Sequence, residues 1–71
     1  MVSYKPLFKL LVDRNMSKAD LRRLAEISPN TMTKLRRGEE VSMAVLNRIC
    51  NVLGVSYGDI IEYIPVDGEK E

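Results

Sequence analysis

The sequence predicts an all-α fold of five short helices, and three observations carry that expectation. All five serines, at positions 3, 17, 28, 42 and 56, stand immediately before a stretch with helical apolar spacing. Gly38, Gly54 and Pro65 stand where such stretches end. No stretch alternates apolar and polar residues like a half-buried strand. Serine suits the start because its hydroxyl accepts a bond from an otherwise orphaned backbone N–H. Glycine suits the end because the left-handed backbone that closes a helix costs it little.

The first helix is expected at about 4–14, after Ser3. Pro6 falls in its first turn, where a missing N–H costs little. Leu7, Leu10 and Leu11 face the core, with Tyr4 a further candidate. The second helix is expected at about 18–26, where Ser17-Lys-Ala-Asp20 resembles a capping box with Asp for the usual Glu. It turns Leu21, Leu24 and Ala25 inward, and Ile27 follows in the turn. The third lies at about 29–37, with Pro29 in the position proline favours and Met32 and Leu35 facing inward. The fourth, at about 43–53, contributes Leu46, Ile49, Cys50 and Leu53. A fifth is expected at about 57–63, opened by a second box, Ser56-Tyr-Gly-Asp59, with Val55, Ile60 and Ile61 closing the core. Residues 1–64 then form one domain, and residues 65–71 an acidic, frayed tail.

Length and composition exclude several classes of function. Seventy-one residues (8.1 kDa) hold one small core. A single cysteine and no histidine leave no internal disulfide, no zinc site and no Ser-His or Cys-His nucleophile pair. Apolar runs such as Leu10-Leu11-Val12 and Val52-Leu53 are far short of a membrane span, and the N-terminus is expected to hold no signal peptide. A reducing, cytoplasmic compartment is expected. Glu39 and Glu40 are loop neighbours, not a facing acid–base pair, and the four glycines are isolated, so no phosphate loop is present. The expectation is a non-enzyme without cofactor, metal or evident small-molecule ligand. Cys50, flanked by core positions, reads as a small buried hydrophobe.

The net charge of +1 conceals a strong asymmetry. Residues 1–38 hold nine cations against three acids, a net +6, whereas residues 39–71 hold two cations against seven acids, a net −5. Such a molecule can turn one basic face to a polyanion and keep its acidic half away, and on charge alone a solvated surface with no such partner accounts for the imbalance equally well.

The informative stretch is SKADLRRLAEISPNTMTKLRRG, residues 17–38. Two short helices joined by a turn of three or four residues make a helix-turn-helix. On the second of them Asn30, Thr33, Lys34 and Arg37 share the face opposite Met32 and Leu35. An Asn can pair with adenine through two bonds, a Lys donates to guanine O6 and N7, and Arg36 and Arg37 can neutralise phosphates.

From Leu21 to Gly38 the sequence resembles the Cro/CI-like (lambda-repressor-like, XRE) helix-turn-helix domains. The matching residues are Leu21, then Ile27-Ser28, Thr31-Met32, Leu35 and Gly38. Leu46, Ile49-Cys50 and Leu53-Gly54-Val55 are similar to the family's fourth helix and its exit, and residues 58–65 to the ending of very small stand-alone regulators. The resemblance spans about residues 4–64. It implies a five-helix domain with the helix-turn-helix at helices 2 and 3, and transcriptional regulation through DNA binding, commonly as a homodimer. By the same resemblance Ser28 and Pro29 enter the major groove, Asn30, Thr33 and Lys34 reach base edges, and Thr31 contacts the backbone or is partly buried. Ser17 and Lys18 begin the helix that meets a phosphate, and Arg37 lies near the strand beyond. Three positions depart from the family: Arg22 replaces its usual Ala, Glu26 its usual Gly, and Glu39-Glu40 its frequent loop cations.

The expected partner is therefore double-stranded DNA, bound by a homodimer formed through the C-terminal helix. Ile61, Tyr63, Ile64 and Val66 either form that dimer surface or pack against the first helix. The competing reading is a protein-binding adaptor that keeps the scaffold and engages another regulator through its acidic half.

Overall fold

The computed structural model describes residues 1–65. Four helices follow one another: α1 (Lys5–Asp13), α2 (Lys18–Leu24), α3 (Pro29–Arg37) and α4 (Met43–Leu53). A single 3₁₀ turn at Tyr57–Asp59 comes next, and two short strands, β1 (Val2–Ser3) and β2 (Glu62–Tyr63), join the two ends of the domain. The strands pair antiparallel, Val2 opposite Tyr63 and Ser3 opposite Glu62, and the Ile64 N–H donates to the Met1 carbonyl at 2.9 Å.

The serines before α2, α3 and α4 behave as expected. Ser17 accepts from the Asp20 N–H at 3.0 Å while Asp20 accepts from the Ser17 N–H at 3.1 Å, which closes the capping box. Ser28 accepts from the Thr31 N–H at 3.1 Å and Ser42 from the Val45 N–H at 3.3 Å. Ser3 differs: it lies in β1, and α1 starts one residue later, after Tyr4.

All four helices stop by one device. Residues Asn15, Glu26, Gly38 and Gly54 follow the helices with φ of 55°, 54°, 74° and 67°. In each case the next N–H reaches back five residues: Met16 to Leu11, Ile27 to Arg22, Glu39 to Lys34 and Val55 to Cys50. These left-handed closures satisfy carbonyls that the helix end would orphan. Glu26 adopts this conformation without being glycine, at a cost of about 1–2 kcal/mol. The turn that the resemblance associates with glycine thus keeps its shape here and bears the strain.

The expected fifth helix is not formed. Gly58 lowers helix propensity, a seven-residue segment hardly repays nucleation, and Ile60, Ile61 and Ile64 are β-branched. The segment makes its one 3₁₀ turn, with the Asp59 carboxylate accepting from the Ser56 N–H at 3.0 Å, and then extends onto β1. Among the described residues, a dimer built on a C-terminal helix accordingly has no helix to use. Ile61 packs against the core, Tyr63 is exposed, and Val66 and the rest of the expected tail lie outside the described residues.

The core gathers Tyr4, Leu7, Leu11, Leu21, Ala25, Ile27, Met32, Leu35, Leu46, Ile49, Leu53 and Ile60, joined by Val45. Val45 falls beside the stripe predicted for α4, whereas Leu24, expected inside, is 47 % exposed. Leu24 ends α2, just before the chain reverses, so its side chain points past the core. Cys50 is partly buried against the core, and burial, aided by the Asp59 carboxylate, pushes its thiol above the ordinary value. Among the described residues no helix is long and apolar enough to cross a membrane.

Candidate nucleic-acid interface

Residues 25–28 link α2 to α3. Ala25 and Ile27 of this link are buried, so the turn is anchored from below while Glu26 and Ser28 stay outside. The anchor has a polar part as well. Arg48, on α4, donates from Nε to the Ala25 carbonyl at 2.9 Å. Sequence reasoning does not single this residue out. Its one signal is to be a cation beside the apolar stripe of α4 in a half of the chain that is otherwise acidic.

α3 buries Met32 and Leu35 and turns its other side outward. Asn30 and Lys34 are exposed, and no described residue bonds to their side chains. At about 100° per residue they project close to Arg37 on the helix surface, with Thr33 on the same side. Thr33 is half-buried and its hydroxyl is already engaged: it donates to the Pro29 carbonyl at 3.1 Å and accepts from Arg36 Nη2 at 3.3 Å. Its methyl group is therefore the more available part. Thr31 is also half-buried, and its Oγ1 accepts from the Ser28 hydroxyl at 3.0 Å, so both side chains serve the helix start. Pro29 occupies the first helical position and is exposed.

Ser17 is committed to its capping box, and the Asp20 carboxylate there lies below the ordinary carboxylate range because the Ser17 N–H and hydroxyl, and then Arg23, favour its charged form. Lys18 holds its ammonium 5.2 Å from the centre of the Phe8 ring, a cation–π contact between α2 and α1. Arg37 is exposed, with Glu39 Oε2 3.8 Å from its Nη1. That pair is worth at most about 1 kcal/mol in water, but it turns one of the two loop acids toward a cation instead of leaving it bare. Arg22 is exposed on α2, so replacing a small residue there does not crowd the helix pair.

The loop after α3 is fixed from the N-terminal side. The Tyr4 hydroxyl, on a 2 % exposed side chain, donates to the Glu39 carbonyl at 2.9 Å. Gly38 lies so near β1 that a Cβ on it would sit 3.0 Å from the Val2 carbonyl oxygen. The end of α3 thus rests on β1, an arrangement that two-residue strands leave almost no trace of in the sequence. Among the described residues no group of three or more His, Cys, Asp or Glu is placed to hold a metal.

Two helices joined by a short anchored turn, the second with an exposed face of amide, hydroxyl and cationic groups, define a helix-turn-helix module. The family model of the Cro/C1-type HTH DNA-binding domain matches residues 7–66. The chain belongs to this family. Among solved structures it is similar to the crystal structure of the transcriptional regulator VanUg, form II, at 48 % identity and a TM-score of 0.89 over 92 % of this chain and 87 % of that one. No curated protein matches the chain.

Proposed function

We propose that this protein is a sequence-specific transcriptional regulator that places α3 in the DNA major groove. The observation that carries the reading is the outer face of α3, where Asn30 and Lys34 project unengaged opposite the buried Met32 and Leu35. Asn30 suits the N6/N7 edge of adenine, and Lys34 the O6/N7 edge of guanine. Thr33, its hydroxyl occupied, offers a methyl group to thymine. Ser28, Pro29 and Thr31 hold the entering end of the helix. Ser17, Lys18 and Arg37 flank it and supply phosphate contacts, which position the protein without reading sequence.

The regulatory role is supported by the likeness to VanUg, itself a transcriptional regulator. One α3 covers a small half-site, so a homodimer on half-sites about 34 Å apart is the expected binding form. Nothing in the reading calls for catalysis or a cofactor, and the chain is expected to work in the cytoplasm.

Selection from a random duplex library at two ionic strengths tests the proposal. A palindrome enriched at both, with affinity falling steeply as salt rises, is the expected result. No enriched motif, together with salt-insensitive capture of a protein partner, would favour the adaptor reading instead.

A further inference from the structure

Of the three α3 side chains given base edges above, Asn30 and Lys34 are unengaged, whereas Thr33 is held from two directions. Its hydroxyl donates to the Pro29 carbonyl, one helical turn back, at 3.1 Å and accepts from Arg36 Nη2, three residues on, at 3.3 Å. Arg36 is exposed, and among the described residues no carboxylate pairs with it; the Thr33 hydroxyl is what its guanidinium bonds. In a helix, valine and isoleucine keep one strongly preferred χ1 rotamer, but threonine divides between two because its hydroxyl can bond a carbonyl three or four residues back. The rotamers lie about 120° apart and put the methyl group at different points. A bond to Pro29 alone is the situation in which threonine mixes them. A second bond to the same oxygen, from a charged donor, favours the rotamer that makes both. The position of the methyl group matters, since a gap of about 1 Å forfeits up to about half of a van der Waals contact.

We propose that Arg36 is a positioning residue for base recognition. Its guanidinium holds the Thr33 hydroxyl in place beside the Pro29 carbonyl, so that the Thr33 methyl group stays in one position against a thymine. The inference rests on the DNA-binding reading above. It gives Arg36 a part in sequence preference, which its charge alone, acting on phosphates, would not supply.

The test uses the full chain and the duplex selected from a random library, with each thymine of the enriched motif replaced in turn by uracil, which lacks only the methyl group. Fluorescence anisotropy gives the ratio of affinities for the thymine and uracil duplexes. At one thymine the ratio is expected to be about four, the worth of one buried methyl group, and to fall to about one in Thr33→Ser, which marks the base under Thr33. Arg36→Ala is expected to bring the ratio at that thymine below about two. Valine carries a methyl group on both γ positions and needs no partner to hold it, so Thr33→Val combined with Arg36→Ala is expected to keep the ratio of Thr33→Val alone. Circular dichroism melts confirm that each variant is folded. If Arg36→Ala weakens binding to both duplexes by the same factor, Arg36 acts on phosphate alone and the positioning role is wrong. If the combined variant loses the ratio as well, or if no thymine responds to Thr33→Ser, the role is again wrong, and the DNA-binding reading stands on the enriched motif. If the library yields no motif, the reading beneath the inference fails and the inference with it.

Discussion

Arg48 on α4 closes the end of α2: its Nε–H donates to the Ala25 carbonyl at 2.9 Å, one residue before the left-handed Glu26. A cation at a helix C-terminus meets both an orphaned carbonyl and the negative end of the helix dipole. The turn that orients α3 against α2 is thereby tied to a third helix. Arg48→Ala is expected to lower unfolding free energy by about 1.5–3 kcal/mol, the range for hydrogen bonds to charged groups. Urea unfolding would show it as a lower midpoint with an unchanged m-value.

Gly38 and Gly54 adopt similar left-handed backbones, with φ of 74° and 67°, but differ in surroundings. An alanine Cβ at Gly54 meets nothing within 4 Å, whereas at Gly38 it would lie 3.0 Å from the Val2 carbonyl oxygen. Gly54→Ala is expected to cost about 1 kcal/mol, from backbone conformation alone. Gly38→Ala should cost at least about 1 kcal/mol more, because backbone has to move as well. Equal shifts in thermal midpoint would contradict the packing of α3 onto β1.

Glu26, at φ 54°, is strained where glycine would be relaxed. Glu26→Gly is expected to raise stability by about 0.5–1 kcal/mol, the left-handed cost less the extra chain entropy glycine loses on folding. A higher urea midpoint is the outcome that agrees.

The expectations that held and failed divide by the range of the interactions behind them. The caps at Ser17, Ser28 and Ser42 and the inward positions of α3 depend on neighbours within four residues, and the sequence states those directly. The helix expected at 57–63 failed because its fate depends on Val2 and Ser3, about sixty residues earlier, and strands of two residues show no alternation. The closures at Asn15 and Glu26 lack the glycine that marks the other two. The shared outer face of Asn30, Lys34 and Arg37 was legible from helical spacing, while the Tyr4–Glu39 bond and the reach of Arg48 to Ala25 arise from tertiary placement.

Tyr4 makes stability depend on alkaline pH. Burial raises its pKa, the Val41 amide opposes that rise, and the Glu40 carboxylate adds to it. Because the folded value is the higher one, the contribution is intact below the ordinary phenol value of about 10 and is lost as pH rises through the folded value. Cys50 acts in the same direction. Tyr4→Phe is expected to cost about 1 kcal/mol at neutral pH through the lost bond to Glu39, and to flatten the decline in melting temperature at high pH. Melting curves from pH 7 to about 11 would check both.

Asn30 and Lys34 are exposed, so Asn30→Ala and Lys34→Ala are expected to change stability by less than about 0.5 kcal/mol. Each should remove about 1–3 kcal/mol of discrimination at its own base position. Leu35→Ala, by contrast, opens a cavity in the core and should cost about 2–5 kcal/mol. Competition binding with single-base operator variants, beside thermal melts, separates the two kinds of loss.

The most direct measurement is an NMR titration of isotope-labelled protein with the duplex selected from a random library and, separately, with a scrambled duplex. The account predicts that the selected duplex shifts the Asn30 and Lys34 side-chain resonances and the Thr33 methyl most strongly, and that the scrambled one moves chiefly the surrounding cations. Unmoved α3 resonances with both duplexes, while binding registers elsewhere on the surface, would contradict it.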